Sequence, residues 1–128
     1  MEEKLELMLI DDEEIVCKRL KSALEKQGYA VEIFLSGESA IERLKDKQYD
    51  VVVTDIRMGE ADGLDVLEAV KKYSARTRTI IITGYATSEV AREAQAKGAF
   101  DFLAKPFRPK DLCKMIEKAA RELEKGGG

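Results

Sequence analysis

Short runs of apolar residues alternate along the chain with longer segments in which apolar residues recur at every third or fourth position. The short runs predict β-strands and the longer segments predict helices. The predicted strands are residues 5–10, 30–35, 50–54, 79–83 and 99–104. The third strand is β-branched almost throughout, which is typical of a strand in the middle of a sheet with both faces covered.

A helix is predicted after each strand. The first helix carries Val16, Leu20 and Leu24 on one face and ends at Gly28, a residue that helix C-termini favour. The remaining helices are predicted to begin after Ser36, after the loop 59–63, near Ser88 and near Pro109.

Consecutive βα units predict an α/β fold with a parallel sheet, because right-handed crossovers place helices on both faces of such a sheet. We predict a single doubly wound domain of the flavodoxin-like (βα)5 type, with the strand order 2-1-3-4-5. The length of 128 residues fits one domain, since domains cluster at about 100–150 residues. Residues 1–125 are assigned to this domain and residues 126–128 to a flexible glycine tail.

The composition excludes several kinds of chemistry. The chain has no histidine, which excludes histidine-dependent nucleophiles, histidine-ligated zinc and imidazole acids or bases. Its 22 Lys and Arg against 25 Asp and Glu give a net charge of −3. That balance argues against direct nucleic-acid binding, which requires clustered positive charge. Any reaction must use carboxylates, hydroxyls, lysine and a metal ion.

The two cysteines, Cys17 and Cys113, have neither the spacing of a zinc site nor that of a redox motif. We predict two reduced, packed thiols. The N-terminus lacks the order of a secretory signal, and no apolar run approaches the roughly 18 residues that cross a membrane. These features predict a cytoplasmic protein without a membrane segment.

Charged and polar residues stand where the predicted strands end. Asp11 and Asp12 follow the first strand, Asp55 follows the third, Thr83 ends the fourth, and Lys105 follows the fifth. In a doubly wound sheet, ligands bind at the carboxyl ends of the strands. We therefore expect three carboxylates, a hydroxyl and an ammonium group to converge on one edge of the sheet.

This set of groups predicts a metal ion and a phosphoryl group. Three anions in close contact repel one another unless a cation lies among them, and oxygen ligands alone select Mg²⁺ or Mn²⁺. Thr83 can donate a hydrogen bond to a phosphoryl oxygen, and Lys105 can neutralise another. With neither histidine nor cysteine in reach, the nucleophile must be a carboxylate, and its product is an aspartyl phosphate.

The order and spacing of these residues, with Pro106 and Phe107 directly after Lys105, strongly resemble the receiver domain of two-component response regulators. The resemblance covers the chain from about residue 5 to residue 123. The segments 55–58 and 98–107 are further similar to receivers attached to sigma-54-dependent transcription activators.

The resemblance implies that Asp55 accepts a phosphoryl group from the phosphohistidine of a partner sensor kinase. It also implies a Mg²⁺ site in which Asp12 and Asp55 bind the metal through their side chains. Asp11 would act largely through water, and Arg57 would act through its backbone carbonyl.

The resemblance also implies a switch. Lys105 would pair with the phosphoryl group, Thr83 would shift to hydrogen-bond it, and Phe102 would swing inward. The bond between Lys105 and Pro106 is expected to be cis. The fourth helix has only one large apolar residue, Val90, and is therefore expected to be held weakly to the sheet. We predict that the signal leaves through the face formed by the fourth helix, the fifth strand and the fifth helix, with phosphorylation promoting a homodimer.

Two further expectations concern residues near Asp55 and Thr83. Gly59 stands where receivers usually have proline, which predicts a looser loop beside the acceptor. In receivers, the positions of Arg57 and Tyr85, each two beyond a site residue, flank the path of the attacking water. Their bulk predicts slow loss of the phosphoryl group.

Other functions are compatible with parts of this pattern. One is a phosphatase or phosphomutase that works through a phosphoaspartate, although such enzymes typically have a second acid where Arg57 stands. Another is an interaction module that retains the fold without phosphorylation. The chain ends shortly after the last helix, so an output domain or effector is expected outside it. We expect either a free-standing receiver or one taken from a longer regulator.

Overall fold

A parallel sheet lies at the centre of the fold. The computed structural model describes residues 4–56, 62–84 and 87–126, and of residues 124–126 the backbone only. The strands are β1 (Glu6–Ile10), β2 (Ala30–Phe34), β3 (Val51–Asp55), β4 (Arg78–Thr83) and β5 (Asp101–Ala104). They pair in parallel in the order β2-β1-β3-β4-β5, which confirms the predicted topology.

A helix follows every strand, as predicted. The helices are α1 (Glu14–Lys26), α2 (Gly37–Leu44), α3 (Gly63–Tyr73), α4 (Ser88–Ala96) and α5 (Pro109–Gly126). Within the described parts of the chain, none of them has the length and apolar character that crossing a membrane requires.

Local chemistry explains where several helices begin and end. The Ser36 hydroxyl accepts a hydrogen bond from the Ser39 N–H at 3.2 Å and caps α2. Gly28 and Gly98 follow α1 and α4 with φ of 95° and 94°, a conformation that residues with a side chain rarely adopt. The fifth strand begins at Asp101 rather than at 99 because the Ala99 N–H still donates to the Ala94 carbonyl of α4.

The sheet carries one apolar layer on each face, because alternate strand residues point to opposite sides. One layer joins β1, β3 and β4 to α1 and α5, and its largest fully buried members are Leu7, Leu9, Leu24, Ile80, Ile82, Leu112 and Ile116. The other layer joins the sheet to α2 and α3 through Met8, Ile10, Val52, Leu44, Val66 and Val70. All of β3 is therefore buried, as its β-branched run predicts.

Helix α4 is held to the sheet by the smallest apolar contact. Ala94 is its one buried residue, and it packs with Ile56 and Ile81 in a separate small cluster. By contrast, α5 buries Leu112, Ile116, Ala119 and Leu123. Because burial stabilises by about 25 cal/mol per Å² of apolar surface, α4 is the helix most easily displaced.

Thr79 offers a test of packing in β4. The residue is 2% exposed, and its hydroxyl has no hydrogen-bond partner among the described residues. An unsatisfied buried hydroxyl costs about 1–3 kcal/mol, so we expect Thr79→Val to raise the free energy of unfolding by about 1 kcal/mol. Urea denaturation measures this change. The control is Thr77→Val, which removes a hydroxyl that donates to the Tyr49 carbonyl and is expected to destabilise. A less stable Thr79→Val would contradict the argument.

Both cysteines carry free thiols, as predicted. The Cys17 thiol is buried and donates to the Asp11 carbonyl at 3.4 Å. Burial, together with the charge of Asp11, raises the pKa of Cys17 to about 12, and burial also raises the pKa of Cys113. Both thiols are therefore protonated at neutral pH and are weak nucleophiles.

Candidate functional site

The carboxyl ends of four strands bring the predicted polar residues to one edge of the sheet. Asp11 follows β1, Asp55 ends β3, Thr83 ends β4, and Lys105 follows β5. Thr83 pairs with Ala104, the residue directly before Lys105, so the ends of β4 and β5 are level. Residues from distant parts of the sequence therefore face a common site.

Lys105 connects the two buried acids of this site. Its Nζ atom lies 2.9 Å from Asp11 Oδ2 and 2.7 Å from Asp55 Oδ2. The Asp11 side chain is 0% exposed and the Asp55 side chain is 10% exposed. Lys105 thus acts as an internal counterion for two carboxylates that lie largely out of contact with water.

The surroundings of Lys105 keep it charged. Burial alone would lower the pKa of Lys105, but its hydrogen bonds to Asp11 and Asp55 and the negative charges of these residues outweigh burial. The pKa of Lys105 therefore lies above its ordinary value. At neutral pH, the site holds a full positive charge next to Asp55.

Both side-chain oxygens of Asp11 are already engaged within the protein. Asp11 Oδ1 accepts from the Glu13 N–H at 3.0 Å, which satisfies a donor at the start of α1. Asp11 Oδ2 accepts from Lys105. Asp11 therefore holds both the start of α1 and the Lys105 side chain.

An acidic cluster lies beside this ion pair. Among the described residues, carboxylate oxygens within 4.8 Å of one another belong to Asp11, Asp12 and Glu13. Asp12 and Glu13 are exposed, and Glu13 Oε1 lies 3.8 Å from Lys105 Nζ. Glu13 is not among the site residues predicted from the sequence. Its position directly after the Asp11–Asp12 pair is the signal that could have identified it.

The residues present fit a hard divalent cation. Every donor in the acidic cluster is a carboxylate oxygen, and such donors favour Mg²⁺ or Mn²⁺ over metals that prefer nitrogen or sulfur. Together with Asp55, the cluster also carries more negative charge than Lys105 alone can neutralise.

The structure places three other predicted residues near this edge. Thr83 is fully buried at the end of β4. Phe102 is half-buried and packs against the small cluster under α4, and the Lys105–Pro106 bond is cis, as expected. The predictions for Arg57 and Tyr85 lie outside the described residues, as does the one for Gly59.

The fold and the site together define a doubly wound α/β domain whose acids, threonine and lysine meet at the carboxyl edge of the sheet. The profile of the response regulator receiver domain matches residues 7–117. The chain therefore belongs to the response regulator receiver domain family.

Known regulators share this domain. The acid tolerance regulatory protein ActR of Sinorhizobium medicae (strain WSM419) is 37% identical over 119 residues, which are 92% of this chain and 61% of ActR. The transcriptional regulatory protein ZraR of Escherichia coli (strain K12) is 33% identical over 117 residues, which are 91% of this chain and 26% of ZraR. The chain thus spans less than two-thirds of either relative.

Solved structures agree with this assignment. The response regulator receiver domain protein (CheY-like) from Methanospirillum hungatei JF-1 superposes with a TM-score of 0.93 at 27% identity, covering 97% of this chain and 99% of that chain. A second match is a response regulator from Burkholderia pseudomallei with a phosphorylated aspartic acid, calcium ion and citrate. It superposes with a TM-score of 0.84 at 25% identity, covering 98% of this chain and 74% of that chain.

Membership in the family fixes the class of function. Receiver domains are phosphorylation-activated signalling switches rather than conventional enzymes. They interact with sensor histidine kinases and bind Mg²⁺ at an acidic pocket. The phosphatase and phosphomutase alternative is therefore not supported.

Proposed function

We propose that Asp55 is the phosphoacceptor of this switch and that a sensor histidine kinase is its donor. The observation that carries the proposal is the contact of Lys105 Nζ with Asp55 Oδ2 at 2.7 Å, next to the Asp11–Asp12 pair. No other described aspartate combines the end of a buried central strand with a lysine and an acidic cluster.

In the proposed reaction, an Asp55 carboxylate oxygen attacks the phosphorus of the kinase phosphohistidine. A new O–P bond forms, the P–N bond breaks, and its electron pair returns to the imidazole of the kinase. Lys105 neutralises charge on the transferred group, and the hydroxyl of Thr83 donates to one of its oxygens. The chain supplies positioning and charge, and the kinase supplies the phosphoryl group.

We further propose that Asp12 and Asp55 bind Mg²⁺ through their side chains, Asp11 through water and Arg57 through its backbone carbonyl. The metal would supply positive charge that screens the carboxylates and phosphoryl oxygens from one another. The Burkholderia pseudomallei structure, with its phosphorylated aspartic acid and calcium ion, supports this combination. The engagement of both Asp11 oxygens within the protein also supports it.

The kinase is proposed to approach across a groove beside Lys105. The groove has a volume of about 640 Å³, and its apolar lining comes from Val16, Leu20, Pro106, Phe107 and Pro109. Since Lys105 also lines this groove, a protein seated there would reach the phosphoacceptor. Transfer from an intracellular kinase would place the chain in the cytoplasm.

The proposed output begins at Thr83 and ends at α4. Movement of Thr83 toward the phosphoryl group would vacate space for Phe102, which already contacts the cluster of Ile56, Ile81 and Ala94. Because α4 buries so little, it is the element that would repack. The face of α4, β5 and α5 would then form a homodimer on phosphorylation.

The consequence of this switch is proposed to be transcriptional, through an output domain that is not part of this chain. ZraR, a transcriptional regulatory protein, supports that assignment, and the similarity of segments 55–58 and 98–107 favours a sigma-54-dependent activator.

Arg57 and Tyr85 are proposed to slow phosphate loss by obstructing the attacking water.

The test is phosphorylation by acetyl phosphate with Mg²⁺, followed by intact mass spectrometry. We expect the unaltered chain to gain one phosphoryl group and Asp55→Asn to gain none, because the amide is not a nucleophile of this kind. The control is Asp46→Asn, which changes an exposed aspartate remote from the site and is expected to be labelled normally. Full labelling of Asp55→Asn would refute the assignment.

A further inference from the structure

The first residue of α3 lies directly against the backbone of the candidate phosphoacceptor. The Gly63 N–H donates to the Ile56 carbonyl at 3.0 Å. A Cβ atom on Gly63 would lie 2.5 Å from the Asp55 carbonyl oxygen and 2.8 Å from Ile56 Cα. Real Cβ atoms essentially never approach other atoms more closely than 3.0 Å. A side chain at residue 63 would therefore force either the Asp55 peptide or α3 to move.

Helix α3 has little freedom to move away. The Asp62 carboxylate accepts from the Leu64 and Asp65 N–H groups at 3.0 and 3.1 Å. In return, Asp65 Oδ2 accepts from the Asp62 N–H at 3.0 Å. This capping box fixes the first turn, and the buried residues Val66 and Val70 anchor the helix to the sheet.

The Asp55 carbonyl also accepts a hydrogen bond from a residue of its own strand. The Thr54 hydroxyl, which is fully buried, donates to the Asp55 carbonyl oxygen at 2.9 Å. The same oxygen is the atom nearest to a Cβ at Gly63. One peptide is thus fixed by a hydrogen bond and by a close contact with α3.

We propose that Gly63 is a positioning residue for phosphoryl transfer, a role that rests on Asp55 being the phosphoacceptor. The missing side chain lets α3 pack against the Asp55 peptide and so sets the direction in which the carboxylate meets Lys105. Glycine is a weaker helix former than alanine, so helix propensity does not account for glycine at this position. The close approach to Asp55 is what requires glycine.

The test is Gly63→Ala, with Gly84→Ala as its matched control. Gly84 follows Thr83 at the end of β4, but a Cβ there would meet no atom of the described residues beyond its chain neighbours within 4 Å. The initial rate of labelling by acetyl phosphate with Mg²⁺ is measured well below the unfolding temperature of each variant. Since a displacement near 1 Å can cost about 100-fold in rate, we expect Gly63→Ala to be at least about tenfold slower. Gly84→Ala is expected to stay within about twofold of the unaltered chain.

A second measurement separates positioning from general destabilisation. The dissociation constant for Mg²⁺ is determined by isothermal titration calorimetry, well below the unfolding temperature and without any phosphodonor. A displaced Asp55 raises this dissociation constant in Gly63→Ala, whereas simple destabilisation lowers the unfolding temperature and leaves the dissociation constant of the folded chain unchanged. A slower rate with an unchanged dissociation constant would overturn the proposal, as would an unchanged rate.

Thr54→Val provides the test if Gly63→Ala does not fold. It removes the hydrogen bond to the same carbonyl without adding volume, and we expect slower labelling and a raised dissociation constant for Mg²⁺. Normal values for both would overturn the proposal.

Labelling of the unaltered chain and of Asp55→Asn comes first. If the unaltered chain is not labelled at Asp55, both the proposed function and this inference fail. If the unaltered chain is labelled and Gly63→Ala is labelled at the same rate, only the proposed role of Gly63 fails.

Discussion

Replacing Lys105 with methionine is expected to lower the free energy of unfolding by about 3 kcal/mol when Mg²⁺ is absent. Methionine approximates the length of lysine but has no charge. Asp11 and Asp55 would then remain in buried surroundings without the ammonium group that now lies 2.9 and 2.7 Å from them. Removing one partner of a buried pair is costly because the other charge stays desolvated. Urea denaturation in EDTA, followed by circular dichroism, measures the loss.

Lys97→Met is the matched control for this variant. Lys97 forms an equally short ion pair with Glu68, at 2.6 Å, but the two side chains are 34% and 60% exposed. Exposed ion pairs contribute little, so we expect the free energy of unfolding to change far less than in Lys105→Met. Equal losses for the two variants would show that burial of Asp11 and Asp55 is not what makes Lys105 important.

The pH dependence of the Lys105→Met effect follows from the raised pKa of Lys105. A lysine whose pKa is raised by folding makes its full contribution to the free energy of unfolding below its ordinary pKa of about 10.4. That contribution is lost as the pH rises through the higher pKa of the folded state. The difference in free energy of unfolding between the unaltered chain and Lys105→Met is therefore expected to stay constant between about pH 7 and pH 9. It is expected to become smaller above about pH 10.4. Urea denaturation at several pH values checks this course.

The sequence was sufficient to predict the architecture because each element carries its own local signal. The β-branched run of β3 indicated a central strand, and that strand is buried at every position. Ser36 and Gly28 marked the ends of helices through capping chemistry that depends on only a few neighbouring residues. The start of β5 was wrong by two residues, because Ala99 still bonds to the C-terminal end of α4.

The site was predictable as a set of residues but not as a set of contacts. Strand order brings Asp11, Asp55 and Lys105 to one edge, yet no pattern in the sequence shows that Lys105 bonds both acids. Two further contacts are equally invisible in the sequence: Glu13 lies near Lys105, and Gly63 lies against the Asp55 carbonyl. Both depend on distances below 4 Å between separate segments of the fold. Such distances follow from packing between segments rather than from spacing along the chain.

Mg²⁺ is expected to raise the unfolding temperature of the unaltered chain, and Asp12→Ala is expected to abolish that response. Asp12 is the exposed acid of the predicted pair. Ion pairs among the described residues join Lys105 to Asp11, Asp55 and Glu13 rather than to Asp12. A metal at ten times its dissociation constant stabilises by about 1.4 kcal/mol, which corresponds to roughly 5 °C for a domain of this size. Thermal unfolding with and without MgCl₂ measures the shift.

Without metal, the Asp12→Ala variant is expected to be at least as stable as the unaltered chain, because the acidic cluster loses one of its repelling charges. Glu14→Ala is the control, since it removes an exposed acid from the first turn of α1 that lies outside this cluster. We expect its Mg²⁺ response to match that of the unaltered chain. A full Mg²⁺ response in Asp12→Ala would place the metal elsewhere and leave Lys105 as the counterion on which the buried acids depend.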